Sequence, residues 1–167
     1  MSKYLGVKVI EAEPMNLGEY NELRGWKIPE NEDPATEGYM VQYDSGYKSW
    51  SPKSVFDSAY LPLEGDGSRI TDSVVDGFIN KAASTCSKAG SKTSLLRIET
   101  ISGFEYFDSS SCVDADNFDL ELGCSIASSR IKDKIWEALG FVLCWGNFGI
   151  KQAKPMKMSQ GIAEVTG

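Results

Sequence analysis

Cys124, Ala127, Ile131, Ile135 and Leu139 recur at three- and four-residue spacing. That period belongs to an amphipathic helix, and such a helix must bury its apolar stripe against a neighbouring element. The neighbour is written just upstream. TSLLRIET sets Leu96 and Ile98 against Arg97 and Glu99, the two-residue period of a half-buried strand. Ser102-Gly103 turns the chain, and FEYFDSSSCV returns as the antiparallel partner. Before them, ITDSVVDGFINKAA places Val75, Phe78, Ile79 and Ala82 on one helical face, with Thr71 or Asp72 as cap and SKAGSK as the following loop. The stripe helix is expected to stop near Leu139, with Gly140 as its terminator and GFVLCWGNFG as a third strand. The unit is thus α+β: a small antiparallel sheet with two helices on one face. Three strands cover two helices thinly, so a homo-oligomer, dimer or hexamer, is expected to complete the core.

LPLEGDGSR, at 61–69, is the predicted boundary. It divides the chain into an N-terminal module (1–62), a larger one (63–150) and a tail (151–167) that is expected to be disordered. In the first module, YLGVKVIEAEPM alternates Leu5, Val7 and Val9 like a strand. NLGEYNELRGW reads as a short helix ended by Gly25, and GYMVQYDSGYKSW as a hairpin around Asp44-Ser45-Gly46. Ser51 is expected to cap a helix that has Pro52 at its first position. This module is therefore a small α+β unit containing a β-hairpin. Trp26, Tyr43, Trp50 and Tyr60 offer either a binding surface or the packing of a small core.

Net charge is −7, which argues against duplex nucleic acid as a partner. No apolar run has the length of a membrane span, and the first residues lack the layout of a signal peptide. A cytoplasmic location is expected, with the four cysteines buried and reduced rather than bridged. Histidine is absent, which removes the commonest general base and metal ligand. No catalytic set, metal site or cofactor is predicted.

SSSCVDADNFDLELG, at 109–123, packs hydroxyls, a thiol, an amide and several carboxylates into the approach to the long helix. A calcium loop fails because Phe118 and Ser125 stand where an oxygen ligand and the closing Glu are required. Asp114 reads as the cap of the long helix, and the other acids as partners of its positive end. That reading needs no ligand. Two features exceed it. Asn117 would sit in the first turn, where amide and N–H groups can meet an anion or a base edge. Arg130 and Lys134 form a cationic pair one turn apart, read either as phosphate ligands or as a solvated face paired with Asp133 and Glu137. Phe104, Tyr106 and Phe107 add rings, for a base or for the core.

The run Ser110-Ser111-Cys112-Val113-Asp114, Asn117-Phe118-Asp119, Glu121, Gly123, Asp133-Lys134-Ile135-Trp136 and Gly140-Phe141 resembles a family of small phage proteins over about 70–145. The family includes the first-described Thoeris anti-defence sponge. The resemblance implies a non-enzymatic anti-defence protein in the cytoplasm of an infected bacterium. It would sequester cyclic ADP-ribose isomers made by TIR proteins; related sponges also capture cyclic oligonucleotides of the CBASS system at separate sites. Carried onto this chain, Ser111, Asp114 and Asn117 would meet ribose or base, Phe104 or Phe107 would stack on adenine, and Arg130 and Lys134, with Arg97, would meet the pyrophosphate. The N-terminal module resembles a small phage domain found ahead of other anti-defence modules. The rival readings are a module that binds and inhibits a host protein, and an enzyme that cleaves such nucleotides.

Overall fold

The structure is a computed structural model that describes residues 1–151; the tail expected at 151–167 lies, beyond Lys151, outside the described residues. Strands β1 (Glu11–Pro14), β2 (Gly38–Gln42) and β3 (Lys48–Pro52) form one antiparallel sheet in that order, with helices α1 (Leu17–Arg24) and α2 (Lys53–Ala59). A capping box starts α1: Asn16 accepts from the Glu19 N–H while Glu19 accepts from the Asn16 N–H. Gly25 ends α1 in the left-handed region, at φ 67°. The hairpin forms as read, its two strands closing around Gly46. Tyr20 and Asn21 of α1 and Gly38, Met40 and Val41 of β2 are buried, and the Trp50 indole donates to the Met15 carbonyl at 2.8 Å. Trp50 therefore serves the interior, whereas Trp26 is exposed beneath the Arg24 guanidinium. Tyr39, Phe56 and Tyr60 stack in a row.

Two expectations about this module are corrected. Only Glu11–Pro14 of the first segment joins the sheet, and Leu5 is exposed. Val9 leaves the sheet to pack on the core of the second unit, so its alternation does not report a strand. Pro52 takes the cap position of α2 without a side-chain bond, one residue later than expected.

The second unit contains α3 (Asp72–Phe78), β4 (Ile79–Ala89), β5 (Thr93–Thr100), β6 (Glu105–Ser111) and α4 (Leu120–Phe148). Thr71 caps α3 by accepting from the Val74 N–H. The three strands are antiparallel in the order β4-β5-β6, and α4 lies along β5 and β6 on one face. Ala127, Ile131 and Ile135 are at most 1% exposed and meet Val74, Val75, Leu96 and Ile98 in one core. Lys132 bridges to Asp76 at 2.5 Å and ties α3 to α4. The fold is α+β.

The third strand of this sheet is not the segment expected. Residues 79–89 form β4, and GFVLCWGNFG continues α4 through Gly140 to Gly149. Leu143 extends the buried stripe one turn past Leu139, and that packing outweighs the ~1 kcal/mol a mid-helix glycine costs. On the other side, TSLLRIET is the central strand and needs a partner on both edges, which β4 supplies. Its pairing shifts register between Asn80 and Thr85. The cysteine expectation is also overturned: Cys86 of β4 and Cys124 of α4 form a disulfide, with Cα atoms 6.2 Å apart. Cys112 and Cys144 are free, and Cys144 is exposed.

Candidate functional site

The acid-rich stretch folds as a compact turn between β6 and α4. The Cys112 N–H donates to the Lys92 carbonyl at 3.0 Å, and the Lys92 ammonium reaches back to the Val113 carbonyl at 3.1 Å. Asp114 accepts from the Asp116 N–H at 3.0 Å and starts a single 3-10 turn over Ala115–Asn117. The cap of α4 is Asp119, which accepts from the Leu122 N–H at 2.9 Å. Asp114 is thus not the cap of the long helix, and Asn117 precedes that helix rather than lying in its first turn. Two short capped elements replace the one expected because Phe118 returns to extended backbone between them.

Under this turn lies a cleft of about 180 Å³. It is lined by Lys92, Ser94, Ser110, Ser111, Asn117 and Asp119 and, from α4, by Leu122, Gly123 and Ile126. Small residues on both elements cause the close approach of helix and sheet here. A Cβ on Gly123 would lie 2.7 Å from the Ser94 Cβ. Ser94 donates to the Leu120 carbonyl at 3.3 Å, and the Ser111 hydroxyl shares a bond with Thr93 at 2.8 Å. Phe118 also lines the cleft, with the Lys88 ammonium 4.3 Å from its ring centre. The lining therefore offers hydroxyls, an amide, an ammonium group and an aromatic ring, which suit a sugar or a phosphate, beside the Asp119 carboxylate, which accepts from hydroxyls and repels an anion.

The eight residues singled out from sequence do not share one pocket. Ser111 and Asn117 line the cleft, and Asp114 shapes the turn above it. Arg130 and Lys134 stand farther along α4 and converge on Asp108 of β6, at 3.1 and 3.2 Å. Arg130 also donates to the Ser109 carbonyl. Their partner is a strand carboxylate rather than Asp133 or Glu137, because α4 lies against β6. Burial pushes the Asp108 carboxyl up, but the Lys134 hydrogen bond, the Ser109 N–H and the Arg130 charge together hold it below the usual carboxylate range.

Arg97 and Phe107 are register partners on the sheet face turned away from α4. Arg97 binds Glu99 and Glu105 and donates to the Ala83 carbonyl at 2.6 Å, which clamps the register shift of β4. Phe104 lies at the opposite end of β6, exposed and edge-on to Tyr106. The ring beside the cleft is Phe118. Sequence reasoning also missed Lys92 and Ser94, and read Gly123 as a motif residue without its contact to the sheet; the pairing of Thr93 with Ser111 brings Lys92 to the turn, and only strand register could have shown it. Among the described residues no cluster of three or more metal-ligating side chains occurs, and no helix is long and apolar enough to cross a membrane.

Residues 68–145 match the family described as phage protein (N4 Gp49/phage Sf6 gene 66), a span that takes in α3, the second sheet, the cleft and most of α4. No curated protein and no solved structure matches the chain. The unit that carries the cleft is accordingly similar to a phage-protein family, under half of the chain by length.

Proposed function

We propose that the second unit is a sequestering module for a cyclic nucleotide signal, a cyclic ADP-ribose isomer or a cyclic oligonucleotide, which it holds without altering. The observation that carries this reading is the cleft beneath the 109–119 turn, where Lys92, Ser110, Ser111 and Asn117 face a common space. Those groups suit a ribose or one phosphate, and Phe118 offers its ring to a base. Arg130 and Lys134, next along α4, can take a second phosphate by exchanging Asp108 for it. Arg97, Phe104 and Phe107 have no part in this arrangement. A volume near 180 Å³ falls below the 300–1,000 Å³ usual for a small-molecule pocket. One chain thus holds part of the ligand, and a second copy closes the site. A rigid cyclic ligand loses little freedom on binding, which favours the tight capture a sponge requires. The host would be an infected bacterium, and the protein would work in its cytoplasm.

Calorimetry with a panel of cyclic ADP-ribose isomers and cyclic oligonucleotides tests this, followed by heat denaturation and chromatography of the released ligand. The expected result is binding that Asn117→Ala and Lys92→Ala each weaken about tenfold or more, the loss of roughly one good polar contact, with intact ligand recovered. Altered ligand would make the protein an enzyme. No binding by any panel member would remove the reading.

A further inference from the structure

The first two turns of α4 are fastened to the sheet differently from the rest of the helix. From Ala127 onward, the stripe of Ala127, Ile131, Ile135 and Leu139 sits in the apolar core. Within 120–126 only Gly123 and Cys124 are buried, and Leu120, Leu122 and Ile126 are exposed. Beneath this end of the helix the sheet presents a polar row: Lys88, Ser94 and Ser110 are register partners across β4, β5 and β6. So little apolar burial holds a helix end weakly. The ties that remain are the packing of Gly123 on Ser94, the Ser94 hydroxyl donating to the Leu120 carbonyl at 3.3 Å, and the bridge from Cys124 to Cys86. Cys86 opposes Leu96 in the next row, which turns its side chain to the face that α4 covers. The two sulfurs differ in access. Cys86 stands on an edge strand and is exposed, whereas Cys124 is 8% exposed. A thiol can therefore enter the bridge from one side only. In the cytoplasm proposed above, thiols are kept reduced, and a bridge is characteristically transient and redox-sensing.

We propose that Cys86 and Cys124 form a thiol–disulfide exchange site whose redox state fastens or frees the start of α4, and with it one wall of the cleft. The thiolate of a small thiol attacks the Cys86 sulfur, the bridge breaks, and Cys124 leaves as a thiolate that takes up a proton. A second thiolate attacks the small molecule's sulfur in the mixed disulfide and releases Cys86, which is protonated in turn. The bridge gains two electrons, and two small thiols become one small disulfide. The reverse sequence, with a small disulfide as oxidant, closes the bridge. Gly123, next to Cys124 in the chain, lines the cleft together with Ser94. Phe118 lines it too, beneath the ammonium of Lys88, two residues along β4 from Cys86. The bridged form thus holds a preorganised cleft and the dithiol form a looser one. The exchange site stands on this geometry; only its effect on affinity rests on the ligand reading above.

The full chain is equilibrated in mixtures of reduced and oxidised glutathione, quenched by alkylation, and its cysteines are assigned by peptide mass. The expected result is reversible conversion between bridge and dithiol. Cys124→Ser should take up glutathione at Cys86, and Cys86→Ser should take it up at Cys124 about tenfold more slowly or less, because burial limits access. Amide hydrogen exchange then reads the helix. In the bridged protein, residues 123–126 are expected to exchange together with 131–139; in the dithiol they run ahead by about tenfold or more. Cys86→Ser should show the dithiol pattern in either buffer. A ratio between the two segments that is the same in both states overturns the proposal, as does a bridge that glutathione neither opens nor forms. For a ligand from the calorimetric panel, the bridged form is expected to bind about tenfold more tightly. Equal affinities beside a shifted exchange pattern would overturn the link to the cleft and keep the exchange site. A panel without a binder would remove the ligand reading, and the exchange pattern alone would then decide this one.

Discussion

Gly123 and Gly140 stand in one helix and should answer to alanine with opposite signs. A Cβ on Gly123 would come within 2.7 Å of the Ser94 Cβ. Ser94 is 1% exposed on the central strand. Rotation can move its hydroxyl but not its Cβ, so the helix or the strand must shift. Overpacking of this kind costs about 1–3 kcal/mol, and the helix preference of alanine returns at most about 1 kcal/mol. Gly123→Ala should therefore destabilise by up to about 2 kcal/mol, a fall in Tm of up to about 8 °C for a chain of this size. Nothing lies within 4 Å of a Cβ on Gly140. There the preference acts alone, and Gly140→Ala should raise Tm by about 1–4 °C. Thermal melts followed at 222 nm, in the same buffer and redox state, decide the matter. A second glycine at position 94 should restore part of the loss, since residues in contact couple by about 0.5–3 kcal/mol. A Gly123→Ala protein that melts at or above wild type would refute the close contact of helix and sheet at the cleft. A Gly140→Ala protein that melts below wild type would refute the continuation of α4.

Three further outcomes follow from the same structure. Cys86→Ser, or a thiol reductant, should lower stability by up to about 4 kcal/mol, the chain-entropy value for a 38-residue closure; a melt indifferent to reductant would show that the bridge is absent. Asp108 is held below the usual carboxylate range, so its contribution is present above about pH 4, the unfolded value, and is lost as pH falls through its folded value. Asp108→Asn should flatten the stability curve in that acid window, and an unchanged curve would refute the pairing with Arg130 and Lys134. Arg97→Ala should lower the melting temperature through loss of the clamp on β4, while ligand affinity stays at the wild-type value; a selective loss of affinity would return Arg97 to the site.

Legibility in the sequence followed the range of the forces involved. The stripe from Cys124 to Leu139, the two facing strands and the hairpin around Gly46 were readable because each is a local period or a local turn. The continuation of α4 was not, since Gly140 is a stop by local preference and a continuation once Leu143 finds the core. For β4 the difficulty was similar: Ser and Thr give it little apolar alternation, and it becomes a strand by pairing with β5. The turn at 109–119 was recognised as the place to look, and Ser111 and Asn117 do line the cleft. The partners of the cations were hidden, because Asp108 meets Arg130 and Lys134 only through the lie of helix on strand. Thiol spacing likewise said nothing of Cys86 meeting Cys124, as that pair is joined across two elements.

The carboxylate shared by Arg130 and Lys134 has one more effect. Any anion approaching these two side chains meets an incumbent rather than bare positive charge. A singly charged newcomer gains little from the exchange, whereas a group bearing two charges or several oxygens can outbid a lone carboxylate. Selection at this spot would then favour ligands by the density of their charge, and common salt would be a weak competitor.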